Sequence, residues 1–216
     1  MNAYFQKTLN KELYINASSV ISNGAVYKNE IRIFENTHEE ISRFLIFVYK
    51  FLEADYPKFY KMDNLAKLGW LANEILLKDC EVILEQKPED TGVVLWNANA
   101  SLDTDLKYFN TVASMASPAL FVYTLPNIMI GEICIKHRFK GENAFFVSEG
   151  FDGNFMKDYV SNLINNNILQ SCICGWVDLL GENGKAVLFL VQNQPDENAR
   201  PFTEDTINNI YQISNG

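Results

Sequence analysis

Phosphate-cradling glycine loops are missing from this sequence. Gly181-Glu182-Asn183-Gly184 reads as a turn between two strands and not as a loop opening a helix, so nucleotide binding gains no support. Histidine is almost missing too: His38 and His137 are the only two, and the four cysteines include no Cys-x-x-Cys pair. Cys172 and Cys174 fall on one face of an expected strand, but two thiols without companions are too few for zinc, so no metal and no cofactor is expected. Basic residues are scarce. Eighteen Lys and Arg against 27 Asp and Glu give a net charge of −9, which repels nucleic-acid backbones and anionic membrane surfaces. Internal repeats and low-complexity linkers are absent. Met1-Asn2-Ala3-Tyr4 offers no basic region followed by an apolar stretch, so no signal peptide is expected. The most apolar window, 118–135, is interrupted by Pro126, Asn127 and Glu132, and reads as a buried core segment instead of a membrane span. Cys134, Cys172 and Cys174 lie in apolar runs, where cysteine behaves as a small hydrophobe; reduced thiols in a cytoplasmic protein are expected.

What is present is apolar and aromatic. With 216 residues, 48% of them hydrophobic, 15 Phe and 10 Tyr, the chain can bury one core, and 1–216 reads as a single domain. A strand at 12–20 ends in the turn Ser22-Asn23-Gly24. Thr37 and Glu40 form a capping box ahead of a helix carrying Ile41, Phe44, Leu45, Val48 and Leu52, and Tyr56-Pro57 ends it. A second helix spans 62–77 with Asp63 at its positive end. A short strand follows at 92–96, then a helix opened by Ser101-Leu102-Asp103-Thr104 that should bury Leu106, Phe109 and Ala113. Residues 125–136 look helical and apolar all round, as in the centre of a domain. A strand at 144–148 turns sharply into a helix with Phe155, Tyr159, Leu163 and Ile168 on one face. Strands at 171–177 and 185–192 and a last helix from Thr203, burying Ile207, Ile210 and Tyr211, complete the pattern. Such alternation implies an α/β fold, with a mixed but mostly parallel five-stranded sheet covered by helices on both faces.

Several of these segments resemble β-ketoacyl synthases. Met62-Asp63-Asn64-Leu65-Ala66-Lys67-Leu68 is similar to the family's M-D-x-L-x-R-L helix start, and Ser101-Leu102-Asp103-Thr104-Asp105 to S-L-E-T-D. Ser117-Pro118-Ala119-Leu120-Phe121, Leu125-Pro126-Asn127 and Gly131-Glu132 resemble S-P-x-x-F, L-P-N and A-G. Lys140-Gly141-Glu142-Asn143 matches K-G-P-N with Glu for Pro, and Gly175-Trp176-Val177-Asp178 is similar to G-G-V-E. Order and spacing carry the resemblance, which implies the first half of a thiolase-like fold, the N-terminal half of a ketosynthase in a short, stand-alone chain.

In active relatives the strand after K-G-P-N ends in a turn carrying the acyl-accepting cysteine, whose thiolate is favoured at a helix N-terminus. The corresponding stretch here is Ser148, Glu149, Gly150, Phe151, Asp152 and Gly153, and an ungapped count from Asn143 puts Phe151 at the cysteine position. A phenyl ring is no nucleophile, and the half that supplies the family's catalytic histidines is not represented. The resemblance therefore implies a non-catalytic subunit assisting a full ketosynthase in fatty-acid, polyketide or aryl-polyene synthesis, with no catalytic residue of its own. The alternatives are an acyltransferase or thioester hydrolase using Ser148 or Cys134, or an acyl-chain binding module. Glu149 and Asp152 could form an acid/base pair, but carboxylates at a helix start more commonly cap it. His137 reads as part of a solvated basic turn at a helix C-terminus. Ala144, Phe145, Phe146 and Val147 would form an edge strand paired across a two-fold axis, in a homodimer or in a heterodimer with a full-length ketosynthase. The flank of the 125–136 helix would be left uncovered, and Phe145 and Phe146 would be exposed to aggregation unless paired. Lys136, Arg138 and Lys140 could contact an acidic acyl carrier protein.

Overall fold

Three tight reversals organise the sheet. Asn23-Gly24 joins β1 (Tyr14–Ser22) to β2 (Ala25–Lys28) with both residues at positive φ, the type I′ geometry that matches strand twist. Asn29-Glu30 repeats that geometry between β2 and β3 (Ile31–Glu35). Gly181-Glu182 joins β6 (Ser171–Leu180) to β7 (Asn183–Gln192), as the turn signature anticipated. With β4 (Thr91–Asn97), β5 (Asn143–Val147) and the short β8 (Arg200–Pro201), the strands form one eight-stranded sheet ordered β3-β2-β1-β7-β6-β4-β5, β8 pairing with the start of β1. This computed structural model describes residues 11–80, 83 and 85–213; the segment Met1-Asn2-Ala3-Tyr4, read above as no leader, lies outside them.

The expected five strands become eight because β2, β3 and β8 lack an obvious sequence signal. The sheet is mixed, as expected, but it is not mostly parallel. Only the pairings of β4 with β5 and with β6 are parallel, and the β1, β2, β3, β7 and β8 pairings are antiparallel. Two-residue reversals permit no other direction.

Alternation along the central strands feeds two cores. Val93, Leu95, Ile173, Val177, Leu188 and Leu190 face one side, where α1 (Ile41–Phe51), α2 (Asn64–Leu77) and, beyond two further helices, α5 (Ile128–His137) pack. Val94, Trp96, Cys172, Cys174, Val187 and Phe189 face the other, covered by α6 (Gly153–Asn165) and α7 (Glu204–Gln212). Cys172 and Cys174 are thus fully buried on one face, as alternation required. At Gly175 a Cβ would stand 2.0 Å from the Val187 carbonyl oxygen, so only glycine lets β7 approach β6 at this point.

Helix starts show where local signals suffice. Asp63 caps α2, its Oδ1 accepting from the Ala66 N–H at 2.8 Å, and Thr203 caps α7 by accepting from the Thr206 N–H at 3.2 Å. The Thr37/Glu40 box does not form. Instead the Glu182 carboxylate, from the β6–β7 reversal, accepts from the Ile41 N–H at 2.7 Å.

Burial departs from expectation in one region. The helix α3 (Leu102–Val112) buries Asp103 and Thr104, and leaves Leu106, Phe109 and Ala113 exposed. The short helix α4 (Pro118–Val122) is exposed as well, so 118–135 is not one buried segment. Within it α5 buries Met129, Ile130, Glu132 and Ile133 against the core and leaves Ile135 in solvent, so it is not apolar-buried all round. In α6 the buried positions are Met156, Val160, Leu163 and Ile164; Phe155 and Ile168 remain largely exposed.

Candidate functional site

The turn read as the former nucleophile site begins where β5 ends. Val147 pairs with Asn97 of β4, and the Ser148 N–H donates to the Asn97 carbonyl at 2.9 Å, holding the chain parallel to β4 until it bends. The Ser148 hydroxyl donates to the Gly150 carbonyl at 3.0 Å. Asp152 then caps α6, accepting from the Phe155 N–H at 2.9 Å, so one of the two carboxylates has the capping role. Glu149 lines a neighbouring cleft.

Phe151 turns inward. Its ring stacks on Tyr211 of α7, centroids 3.8 Å apart and planes 8° from parallel, and meets the Trp176 ring edge-on at 6.1 Å. The Lys185 ammonium sits 3.9 Å from the centroid of the Tyr211 ring. Phe151, Tyr211 and Lys185 therefore line one cleft of about 630 Å³ between the turn, the β6–β7 hairpin and the start of α1. Burial pushes the Lys185 ammonium pKa down and the Tyr211 hydroxyl pKa up, the nearby Asp178 adding to the latter. Asp178 itself is engaged: it accepts from the Ala98 and Asn99 N–H groups and from the Asn99 side-chain amide at 2.7 Å.

Neither histidine lines the cleft. His38 is exposed in the turn before α1. His137 is not part of a solvated turn: its Nε2 lies 2.5 Å from the Glu74 carboxylate, and its ring stacks on Phe139 at 5.4 Å. Ser148 thus has no imidazole to take its proton. Cys134 is not brought to the turn. It packs with the α2 side of the sheet, whereas Phe151 packs with the α6 side, and burial pushes its thiol pKa up to about 11, away from thiolate chemistry. Among the described residues no cluster of three or more His, Cys, Asp and Glu could hold a metal ion.

The other predicted residues fall in two places. Ala144 to Val147 do lie at the sheet's edge, beyond β4. Phe145 and Phe146 are not bare, however: Phe145 packs on the α2-side core and Phe146 stacks on Trp96 at 5.2 Å, leaving Val147 as the exposed apolar side chain. Lys136, Arg138 and Lys140 follow the end of α5. The Lys136 ammonium lies 5.1 Å from the Tyr56 ring centroid, while Arg138 and Lys140 are exposed. Tyr211 and Lys185 escaped the sequence reading as site residues, because no local pattern links positions so far from Phe151.

A mixed sheet with helices on both faces, a parallel edge strand and a sharp strand-to-helix turn at its end decides the architecture. The fold is thiolase-like. No family model matches the sequence, and no curated protein matches it. Among solved structures, the ishigamide ketosynthase/chain length factor superposes with a TM-score of 0.60 at 18% identity, over 84% of this chain and 62% of that one. A β-ketoacyl synthase from Burkholderia phymatum STM815 gives 0.57 at 10% identity, over 84% and 59%. The chain thus spans less than two thirds of either. A ketosynthase (ApeO) in complex with its chain length factor (ApeC) from Xenorhabdus doucetiae gives 0.56 at 11% identity, over 95% of this chain and 92% of the matched one. At these identities the likeness is one of fold. Among the described residues no helix is long and apolar enough to cross a membrane.

Proposed function

We propose that this chain is a non-catalytic, cytoplasmic ketosynthase-like subunit that pairs with a full ketosynthase in fatty-acid, polyketide or aryl-polyene synthesis. The observation that carries the reading is Phe151, stacked on Tyr211 where the resemblance expects an acyl-accepting thiol. Acyl transfer needs a nucleophile, a proton acceptor and an open approach; this turn offers a ring, no imidazole in the cleft, and a face already covered by Tyr211. The solved neighbours that pair a ketosynthase with a chain length factor support the partner role. The exposed Arg138 and Lys140 are the positions we assign to contact with an acidic carrier protein.

The test is intact-mass measurement after incubation with an acyl-pantetheine thioester. The mass should stay that of the free chain. A stoichiometric acyl adduct mapped to Ser148 or to any cysteine overturns the reading and restores the acyltransferase alternative.

A further inference from the structure

Helix α3 is built inside out. Its buried face is polar: Asp103 accepts from the Gly181 N–H at 3.1 Å, and Thr104 donates to Asp63. Its apolar stripe, Leu102, Leu106, Phe109 and Val112, recurs at helical spacing and points to solvent, with Phe109 73% exposed. Met115, 82% exposed, and Phe121, Val122 and Leu125 on and after α4 extend it. The platform is rigid. Tyr108 and Phe121 pack ring to ring at 5.5 Å, the Ser101 hydroxyl donates to the Thr124 carbonyl at 2.7 Å, and the Tyr123 hydroxyl donates to the buried Glu132 at 3.3 Å. It continues toward the sheet's open edge, since the exposed Val147 pairs with Asn97, from which the chain runs into α3.

We propose that this α3–α4 face is the surface on which the partner ketosynthase docks, with the partner presenting an equally uncharged, apolar face. The inference rests on the partner role proposed above, and three observations select the occupant. At ~200 Å² for a fully exposed large apolar residue, the stripe leaves roughly 900 Å² open, comparable to the ~800 Å² each partner contributes to a stable interface. From 108 to 131 the sequence holds no Asp, Glu, Lys, Arg or His, the depletion expected at the core of an interface. Finally, each chain carries −9, so two identical copies repel one another and a different subunit is favoured.

The experiment compares affinity-tagged wild type, the double variant Phe109→Glu/Met115→Glu and the control Ile31→Glu in the cells that make the protein. Ile31 is an exposed apolar residue on β3, at the opposite edge of the sheet. Recovered partners are identified by mass spectrometry, and thermal melting checks folding. Wild type and the control should recover a ketosynthase at near-equimolar amount, and the double variant at least tenfold less with an unchanged melting temperature. Equal recovery by the double variant overturns this surface and leaves the partner role standing. No ketosynthase with wild type overturns both. A dimer of the chain alone that the double variant disperses assigns the face to a second copy, and overturns the proposal.

Discussion

Removing the Asp63 side chain separates hydrogen bonding from charge at the start of α2. Its carboxylate caps the helix through the Ala66 N–H and accepts from the hydroxyl of Thr104, which is buried. Asp63→Ala deletes a cap worth about 1 kcal/mol and strands a buried hydroxyl at a cost of about 1–2 kcal/mol, so about 2–3 kcal/mol should be lost. Asp63→Asn keeps the acceptor for Ala66, can donate to Thr104 through its amide, and removes a charge that burial disfavours; its cost should stay below about 1 kcal/mol. The pH dependence follows. Burial, reinforced by Asp103, raises the Asp63 carboxyl pKa despite the hydrogen bonds from Thr104 and Ala66. A carboxyl whose folded pKa is raised adds stability below its unfolded value, and that contribution fades as pH rises through the folded value. Wild type should therefore lose ground to Asp63→Asn from the ordinary carboxylate range up to the raised value. Urea unfolding followed by circular dichroism at several pH values measures all three proteins. Equal losses for Ala and Asn, or wild type gaining on Asn as pH rises, would refute the reasoning.

Gly175→Ala should cost about 3 kcal/mol or more, or abolish soluble expression, because the new methyl meets backbone instead of a movable side chain; a near-normal urea midpoint would contradict the tight β6–β7 approach. Cys134, with its thiol at about 11, should react with iodoacetamide at pH 8 on the order of a hundredfold slower than free cysteine, as peptide mapping of the native protein can show. Tyr211→Ala should lose about 1–2 kcal/mol of stacking and contact with Phe151, whereas Tyr211→Phe should match wild type; equal losses would place the stabilisation in the hydroxyl. Phe151→Cys should take up acyl groups from a thioester no faster than free cysteine does, since no imidazole lines the cleft; rapid acylation read by intact mass would show that one substitution had silenced an otherwise working site.

Local signals read well where their partners are local. Asp63 and the apolar spacing from Leu65 to Leu76 identified α2 and its cap, and Asn23-Gly24 marked the first hairpin. Asn29-Glu30 makes the same reversal without a glycine, so β2 and β3 passed unseen, and with them the antiparallel half of the sheet. The Thr37 box failed because Glu182, remote in sequence, reaches the helix start first. On α3 the periodicity of Leu106 and Phe109 marked an apolar face correctly; nothing in one chain's spacing says whether that chain covers it. At the site, Asp152 as a cap and Phe151 in place of a thiol were legible, but the partner ring of Tyr211 was visible only once α7 had been placed.

The pairing of Tyr14 with Gln192 has a consequence for biosynthesis. β1 waits on the ribosome surface until β7 has been translated, because β7 is the strand that joins β1 and its hairpin to β6 and β4. Until then Ile15, Val20 and Ile21 have no permanent cover, and nascent chains need shielding for nearly the whole of elongation.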